Sequence, residues 1–280
     1  IAPLFQSQFY GNHHMLLENY ETAKRYLDYL KQKYDAYPAI YGKTGPHRFL
    51  CHGLGDWGIG KQWKESRENT ETAFFYADLR IMQQTASLCG NKADEAYYAA
   101  VADEVLADYN GALLVVDPDN GEWCYQAWDT SDRLSIMQAN QAIPLYFGMV
   151  PEEKRESVER SFLESVAGHR FISGEVGLRF IFQILSRLGR HDIIHDMIVQ
   201  PEHPSYWRFV TQGETTLPEF WDDNARSRNH DMMGHIMEWF YEEIGGIHSD
   251  DAFATIRIAP HLPGGLTWVR CRYDSIRGEI

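Results

Sequence analysis

Cysteine is scarce in this chain: four residues in 280, Cys51, Cys89, Cys124 and Cys271, with no C-x-x-C pair. Single scattered cysteines exclude the ligand spacing of a structural zinc site or a redox pair and read as buried thiols. Spacing alone does not forbid a disulfide, so the compartment stays open. Long apolar runs are also missing. None approaches the roughly 18–20 residues of a membrane helix, and no membrane insertion is expected. Basic residues are in deficit, 26 Lys+Arg against 40 Asp+Glu for a formal charge of −14. That field repels phosphate backbones, so nucleic acid is not an expected partner. Neither a phosphate-binding glycine loop, a G-x-S-x-G elbow nor an H-E-x-x-H pair occurs, which removes support for nucleotide, serine-hydrolase and zinc-peptidase chemistry. His13-His14 and His191-x-x-x-His195 lack an accompanying carboxylate at ligand spacing, so no metal and no cofactor are expected. An initial Met and a leader pattern are absent too, and Arg277 to Ile280 ends inside what reads as a strand. The expectation is a piece of a longer protein.

What is present is a core-forming composition, 44% hydrophobic and 14% aromatic. A chain of this length buries one large or two modest cores. Eight Trp and 16 Tyr exceed what a helical core requires. Their flat apolar faces with a polar edge suit stacking on sugar rings, although most of them are expected in the core.

Helical periodicity covers most of the chain. Over residues 71–89, Phe75, Leu79, Met82, Ala86 and Cys89 recur at three- and four-residue spacing, and Gly90 marks the stop. Over 93–109, Tyr98, Ala102, Val105 and Tyr109 share a face, so the two segments form an antiparallel hairpin. Further helices are expected over 12–33, 132–147, 152–167, 174–188, 191–198 and 229–244, with Gly148, Gly168 and Gly189 at helix ends. Repeated hairpins of this size point to helices circling a common axis. After Gly246 the period changes to two over 254–259 and 266–273, and a small β region is expected there.

Two segments lack periodicity. Residues 49–61 read FLCHGLGDWGIGK and residues 203–224 read HPSYWRFVTQGETTLPEFWDDN. Both are polar, aromatic loops of the kind that carry function on a rigid scaffold. From Gln212 to Asp222 three carboxylates, two threonines and two aromatics fall within eleven residues. Pro218 stiffens the backbone before Glu219, and Phe220 and Trp221 supply low-dielectric flanks, so Glu219 is the candidate general base on water. A solvated acidic loop with capping threonines is the plainer alternative. Trp57 offers a stacking face, with Asp56 beside it to accept sugar hydroxyls, or as a helix cap next to a core Trp. Trp207 is a second stacking wall or a packing residue. His230, at the start of an expected helix, points into a cleft or caps it.

Taken in order, Gly53-Leu54-Gly55-Asp56-Trp57-Gly58, the Gly213 to Asp222 loop, Ser227-Arg228-Asn229-His230, Gly234 and Glu238-Trp239 resemble the bacterial α-L-rhamnosidases. The resemblance runs over essentially the whole chain. It implies a mainly α (α/α)6 toroid over residues 1–250, incomplete at its N-terminus, followed by the beginning of an antiparallel β-sandwich over 251–280. It implies inverting hydrolysis of terminal α-L-rhamnose from glycosides or polysaccharides, with Glu219 in the base position and the acid in a segment before residue 1. It places Asp56, Trp57, Trp207, Trp221 and His230 around the rhamnose pocket. Many relatives read W-E-R-W-D where this chain has Pro218 and Phe220 around Glu219, which removes an Arg beside the base. A sugar-binding toroid without catalysis, or a glycosidase for another sugar, is the alternative. Oligomeric state is not indicated.

Overall fold

In the computed structural model of the chain, residues 2–37, 47–58, 67–128, 136–223 and 226–280 are described. Residues 59–61 and 224 of the two loops, and 132–135 of one expected helix, lie outside them. The architecture is mainly α. The chain opens with α1 (Ala2–Tyr10), α2 (His14–Glu18) and α3 (Tyr20–Asp35), followed by the long pair α4 (Arg67–Leu88) and α5 (Lys92–Leu113). A short antiparallel ribbon, β1 (Leu114–Val116) with β2 (Trp123–Tyr125), leads to α6 (Gln138–Tyr146) and α7 (Arg155–Ser165). Then come α8 (Glu175–Arg187), α9 (His191–Ile198) and α10 (Tyr206–Thr211). A 3-10 turn (Asp231–His235), α11 (Ile236–Trp239) and a π turn (Phe240–Ile244) close the helical part. No helix among the described residues is long and apolar enough to cross a membrane.

The α4–α5 hairpin follows from its sequence. Phe75, Leu79, Met82 and Ala86 on one helix and Tyr98, Ala102, Val105 and Tyr109 on the other are all buried. Gly90 supplies the turn with φ +70°, a conformation that costs glycine no Cβ clash. The Asn91 side chain then caps α5 by accepting from the Asp94 N–H at 3.1 Å. Helix α3 is tied to the same end, because Tyr20 Oη and Lys24 Nζ both donate to Asp94 at 2.7 Å. Cys89, expected on the buried face, is exposed: it falls in the turn, where the helical face has already ended.

Helix α6 is buried at every residue from Gln138 to Leu145, the signature of a helix with neighbours on all sides. Its two buried glutamines are matched, Gln138 donating to the Arg170 carbonyl at 2.8 Å and accepting from the Ile172 N–H at 2.8 Å. Gln141 accepts from the Tyr125 N–H at 2.8 Å and donates to the Tyr125 carbonyl at 2.6 Å, standing in for the next strand of the ribbon. Helix α8 buries Leu178, Ile181 and Leu185 against α6.

Other expectations change. The expected helix 12–33 is broken at Asn19, and α1 precedes it. The expected helix 229–244 starts late, because His230 is extended (φ −126°, ψ 114°) with its N–H on the Leu217 carbonyl at 2.7 Å, and it changes pitch along its length. Of the expected strand 254–259 only β4 (Arg257–Ile258) forms, paired with β3 (Ile247–His248). No strand forms over 266–273, where Leu266, Trp268 and Val269 stay exposed and find no ladder partner among the described residues. The last hairpin pairs β5 (Asp274–Ser275) with β6 (Gly278–Glu279).

Candidate active site

Two remote loops converge on the N-terminus of α8. The first is clamped there by Asp56, whose carboxylate is 2% exposed. It accepts from Ser173 Oγ and the Gly174 N–H at 2.8 Å and from the Gly177 N–H at 2.7 Å. Peptide N–H groups that start a helix have no partner within it and attract negative charge, so a carboxylate from a distant loop satisfies them. Burial pushes the Asp56 pKa up, and hydrogen bonds from the Gly174, Gly177 and Val176 backbone and the Ser173 hydroxyl work against that rise. The Trp57 carbonyl accepts from the Glu175 N–H at 2.7 Å, completing the dock. Close backbone approach needs glycine: a Cβ on Gly174 would lie 2.0 Å from the Trp57 carbonyl oxygen.

The second loop is folded on itself. Glu219 N–H donates to the Ser227 carbonyl at 3.0 Å and His230 N–H to the Leu217 carbonyl at 2.7 Å, so residues 217–219 run beside 227–230. Thr216 Oγ1 donates to the Arg228 carbonyl, and the Arg228 guanidinium pairs with Glu214. The two loops meet where Trp57 Nε1 donates to Glu219 Oε1 at 3.4 Å. The Trp57 and Phe220 rings lie 6.0 Å apart, which adds an aromatic contact to the meeting of the loops. Glu219 is partly buried, with Trp57 41% exposed beside it. A carboxylate held by an indole N–H at a half-open apolar edge can take a proton from water.

Glu175 is the site residue that sequence reasoning missed. It occupies the first turn of α8, its side chain is 2% exposed, and Oε1 lies 3.3 Å from His230 Nδ1. Its pKa is raised to about 7, chiefly by burial, with the Glu219 and Asp56 charges adding and His230 opposing. The available signal was an acid between Gly174 and Gly177 at the start of an amphipathic helix, since glycines so placed allow close approach by another backbone.

Among the residues expected to bind sugar, the structure brings Trp57, Glu219 and His230 into one neighbourhood. Asp56 is there too, but its role is corrected: its buried oxygens serve the α8 terminus and are not presented to a ligand. Trp221 is corrected as well. It is 7% exposed, stacks between Phe171 at 5.2 Å and Phe209 at 5.6 Å, and donates its indole N–H to the Ser173 carbonyl at 3.0 Å. That is a packing role under the α8 entrance. Trp207 lies on the outer side of α10, 48% exposed, while its neighbours Tyr206 and Phe209 point inward. No hydrogen bond or ring contact joins Trp207 to Trp57 or Glu219 among the described residues.

The histidines that stand close in sequence do not converge on a common ligand position. His13 bonds Ser7 and His14 pairs with Glu18. His191 instead meets Glu243 and His261, with ligand atoms within 4.8 Å of one another. The Trp239 indole donates to His191 Nδ1 at 3.3 Å, which places the ring proton of a neutral His191 on Nε2, the atom facing Glu243. A metal needs that nitrogen deprotonated, so this cluster reads as a hydrogen-bonded stack.

Helical hairpins whose connecting loops converge on a carboxylate beside a tryptophan make this a helical-hairpin protein. A family model described as the bacterial alpha-L-rhamnosidase six-hairpin glycosidase domain matches residues 1–244, and the chain belongs to that family. It is 27% identical to an alpha-L-rhamnosidase of Formosa agariphila over 301 aligned positions, covering 99% of this chain and 29% of that protein. Among solved structures it superposes on the alpha-L-rhamnosidase from Dictyoglumus thermophilum with TM-score 0.83 and 28% identity, covering 99% of this chain and 30% of that one. The Streptomyces avermitilis alpha-L-rhamnosidase complexed with L-rhamnose gives TM-score 0.80 at 22% identity, covering 99% and 26%, and supports the fold. The expected α/α toroid architecture is thus the fold of this chain. The chain spans 29% and 30% of the lengths of the first two relatives.

Proposed function

We propose that this chain carries the base half of an inverting α-L-rhamnosidase active site. Glu219 removes a proton from the water that attacks the anomeric carbon of a terminal α-L-rhamnose, in a rhamnose-containing glycoside or polysaccharide. A carboxylic acid outside these residues protonates the leaving oxygen. Trp57 gives the sugar an apolar face, His230 a polar contact, and Trp207 an outer wall. The working unit is residues 1–250, with 251–280 opening a separate β unit. The observation that carries this reading is the Trp57–Glu219 hydrogen bond, which joins the two motif loops around one carboxylate. Its family context is the match over residues 1–244.

The test is hydrolysis of an aryl α-L-rhamnoside by the intact protein, with the first-formed anomer read by proton NMR. Release of β-L-rhamnose is expected. Retention of the α configuration would refute the base role. Binding of L-rhamnose with no hydrolysis of any rhamnoside would favour a sugar-binding module.

A further inference from the structure

We propose that Glu175 is a positioning residue: its carboxyl group holds the Nδ1 side of His230, so that the imidazole presents Nε2 to the sugar bound beside Glu219. The proposal rests on the functional reading above for the identity of the sugar. The geometry behind it does not.

Glu175 Oε1 and His230 Nδ1 lie 3.3 Å apart. Both atoms are shut off from solvent, and neither has a hydrogen-bond partner among the described residues. Each is thus the nearest complement of the other: a carboxyl oxygen facing a ring nitrogen, needing only a small rotation to align. The His230 side chain is nonetheless 28% exposed. Since Nδ1 is covered, its solvent contact lies on the rest of the ring. A histidine whose inner nitrogen is engaged by a carboxyl group has its orientation fixed, and its outer nitrogen becomes the working atom. Glu175, 2% exposed behind that ring, has almost no surface of its own to offer a ligand.

Both partners sit on rigid supports. Glu175 is in the first turn of α8, with its N–H on the Trp57 carbonyl and its Cγ against Gly58. His230 is bonded through its N–H to Leu217, two residues from Glu219. The carboxyl–imidazole contact therefore ties α8, on which the Trp57 loop docks, to the segment paired with the Glu219 loop. The groups acting on Glu175 are His230, Glu219, Asp56 and Asp231, with His235 bonded to its backbone. Three surrounding carboxylates and burial favour retention of a proton by Glu175 up to about pH 7. Whether that proton lies on Oε1 or on Nδ1, the inner side of the ring is occupied.

The test uses Glu175→Ala, Glu175→Gln, His230→Ala and the Glu175→Ala/His230→Ala double variant of the intact protein, each checked for cooperative unfolding. L-rhamnose affinity is read by calorimetry and the His230 ring orientation by crystallography. Glu175→Ala is expected to weaken L-rhamnose binding about tenfold and to turn the ring. Glu175→Gln, whose amide oxygen still accepts from Nδ1–H, is expected to restore affinity to within about threefold and to keep the ring in place. In the His230→Ala background, removal of Glu175 is expected to change affinity by less than about twofold. An unturned ring in Glu175→Ala, or a full tenfold loss from Glu175→Ala in the His230→Ala background, would overturn the inference. If the wild type does not bind L-rhamnose, the functional reading falls, and the ring orientation alone decides whether Glu175 positions His230.

Discussion

Replacing Asp56 by Ala separates its clamp role from a sugar contact. The carboxylate is 2% exposed and accepts three hydrogen bonds at 2.7–2.8 Å, from Ser173, Gly174 and Gly177. Hydrogen bonds to a charged acceptor contribute about 1.5–3 kcal/mol each, and two peptide N–H groups left unpaired cost about 1–3 kcal/mol each. Against this, removing a buried charge returns several kcal/mol of desolvation. The net expectation is a loss of about 3–5 kcal/mol, within the range for stripping a buried, paired group. At about 2–4 °C per kcal/mol for a domain of this size, the melting temperature falls by roughly 10 °C. Urea unfolding of wild type, Asp56→Ala and Asp56→Asn measures it, with Asn intermediate because its amide retains one acceptor. A change below about 1 kcal/mol would refute the clamp. If stability held while L-rhamnose binding vanished, Asp56 would be a ligand after all.

Three further outcomes follow from the packing and the charges. The Glu175 pKa rises on folding, from 4.5 to about 7, so its contribution to stability is complete below pH 4.5 and lost as pH climbs through 7. Glu175→Gln should match wild type near pH 4 and exceed it by up to about 3 kcal/mol above pH 8 in denaturant unfolding; a pH-independent difference would contradict the assignment. Trp221→Ala should cost about 3–5 kcal/mol by the same assay, while Trp221→Phe keeps L-rhamnose affinity within a few-fold; a selective loss of binding in the Phe variant would restore a sugar-contact role. Native labelling with a thiol reagent should modify exposed Cys89 and spare Cys124, whose thiol is pushed up to about 12 by burial; rapid native modification of Cys124 would contradict its burial.

Periodicity made the helices legible because one face of each is apolar and the other is wet, as in the α4–α5 hairpin. It failed where tertiary bonds override local preference. His230 looks like a helix start, yet its extended backbone, held beside Leu217, puts the start one residue later, as a 3-10 turn. Residues 266–273 alternate like a strand, but Leu266, Trp268 and Val269 find no ladder partner among the described residues, and pairing begins only at Tyr273, which exchanges backbone bonds with Ile280. At the site, the Gly-Asp-Trp and Glu219 loops stood out by composition, and their meeting through Trp57 is consistent with that reading. Burial was invisible in sequence: Asp56 and Trp221 carry sugar-binding chemistry in type, but one is enclosed by helix donors and the other by two stacked phenylalanines. Glu175 was hidden for the opposite reason. An acid in a helix's first turn is ordinary, and only the fold places it 3.3 Å from His230.

The measurement that bears most directly on the central claim is steady-state hydrolysis of an aryl α-L-rhamnoside by Glu219→Gln in the intact protein. Loss of a general base lowers the rate constant by about 10²–10⁴-fold while the neutral amide still accepts the Trp57 indole bond. The account predicts a collapse in kcat of that order with KM changed by less than about fivefold. A kcat within tenfold of wild type, or a loss confined to KM, would contradict Glu219 as the base.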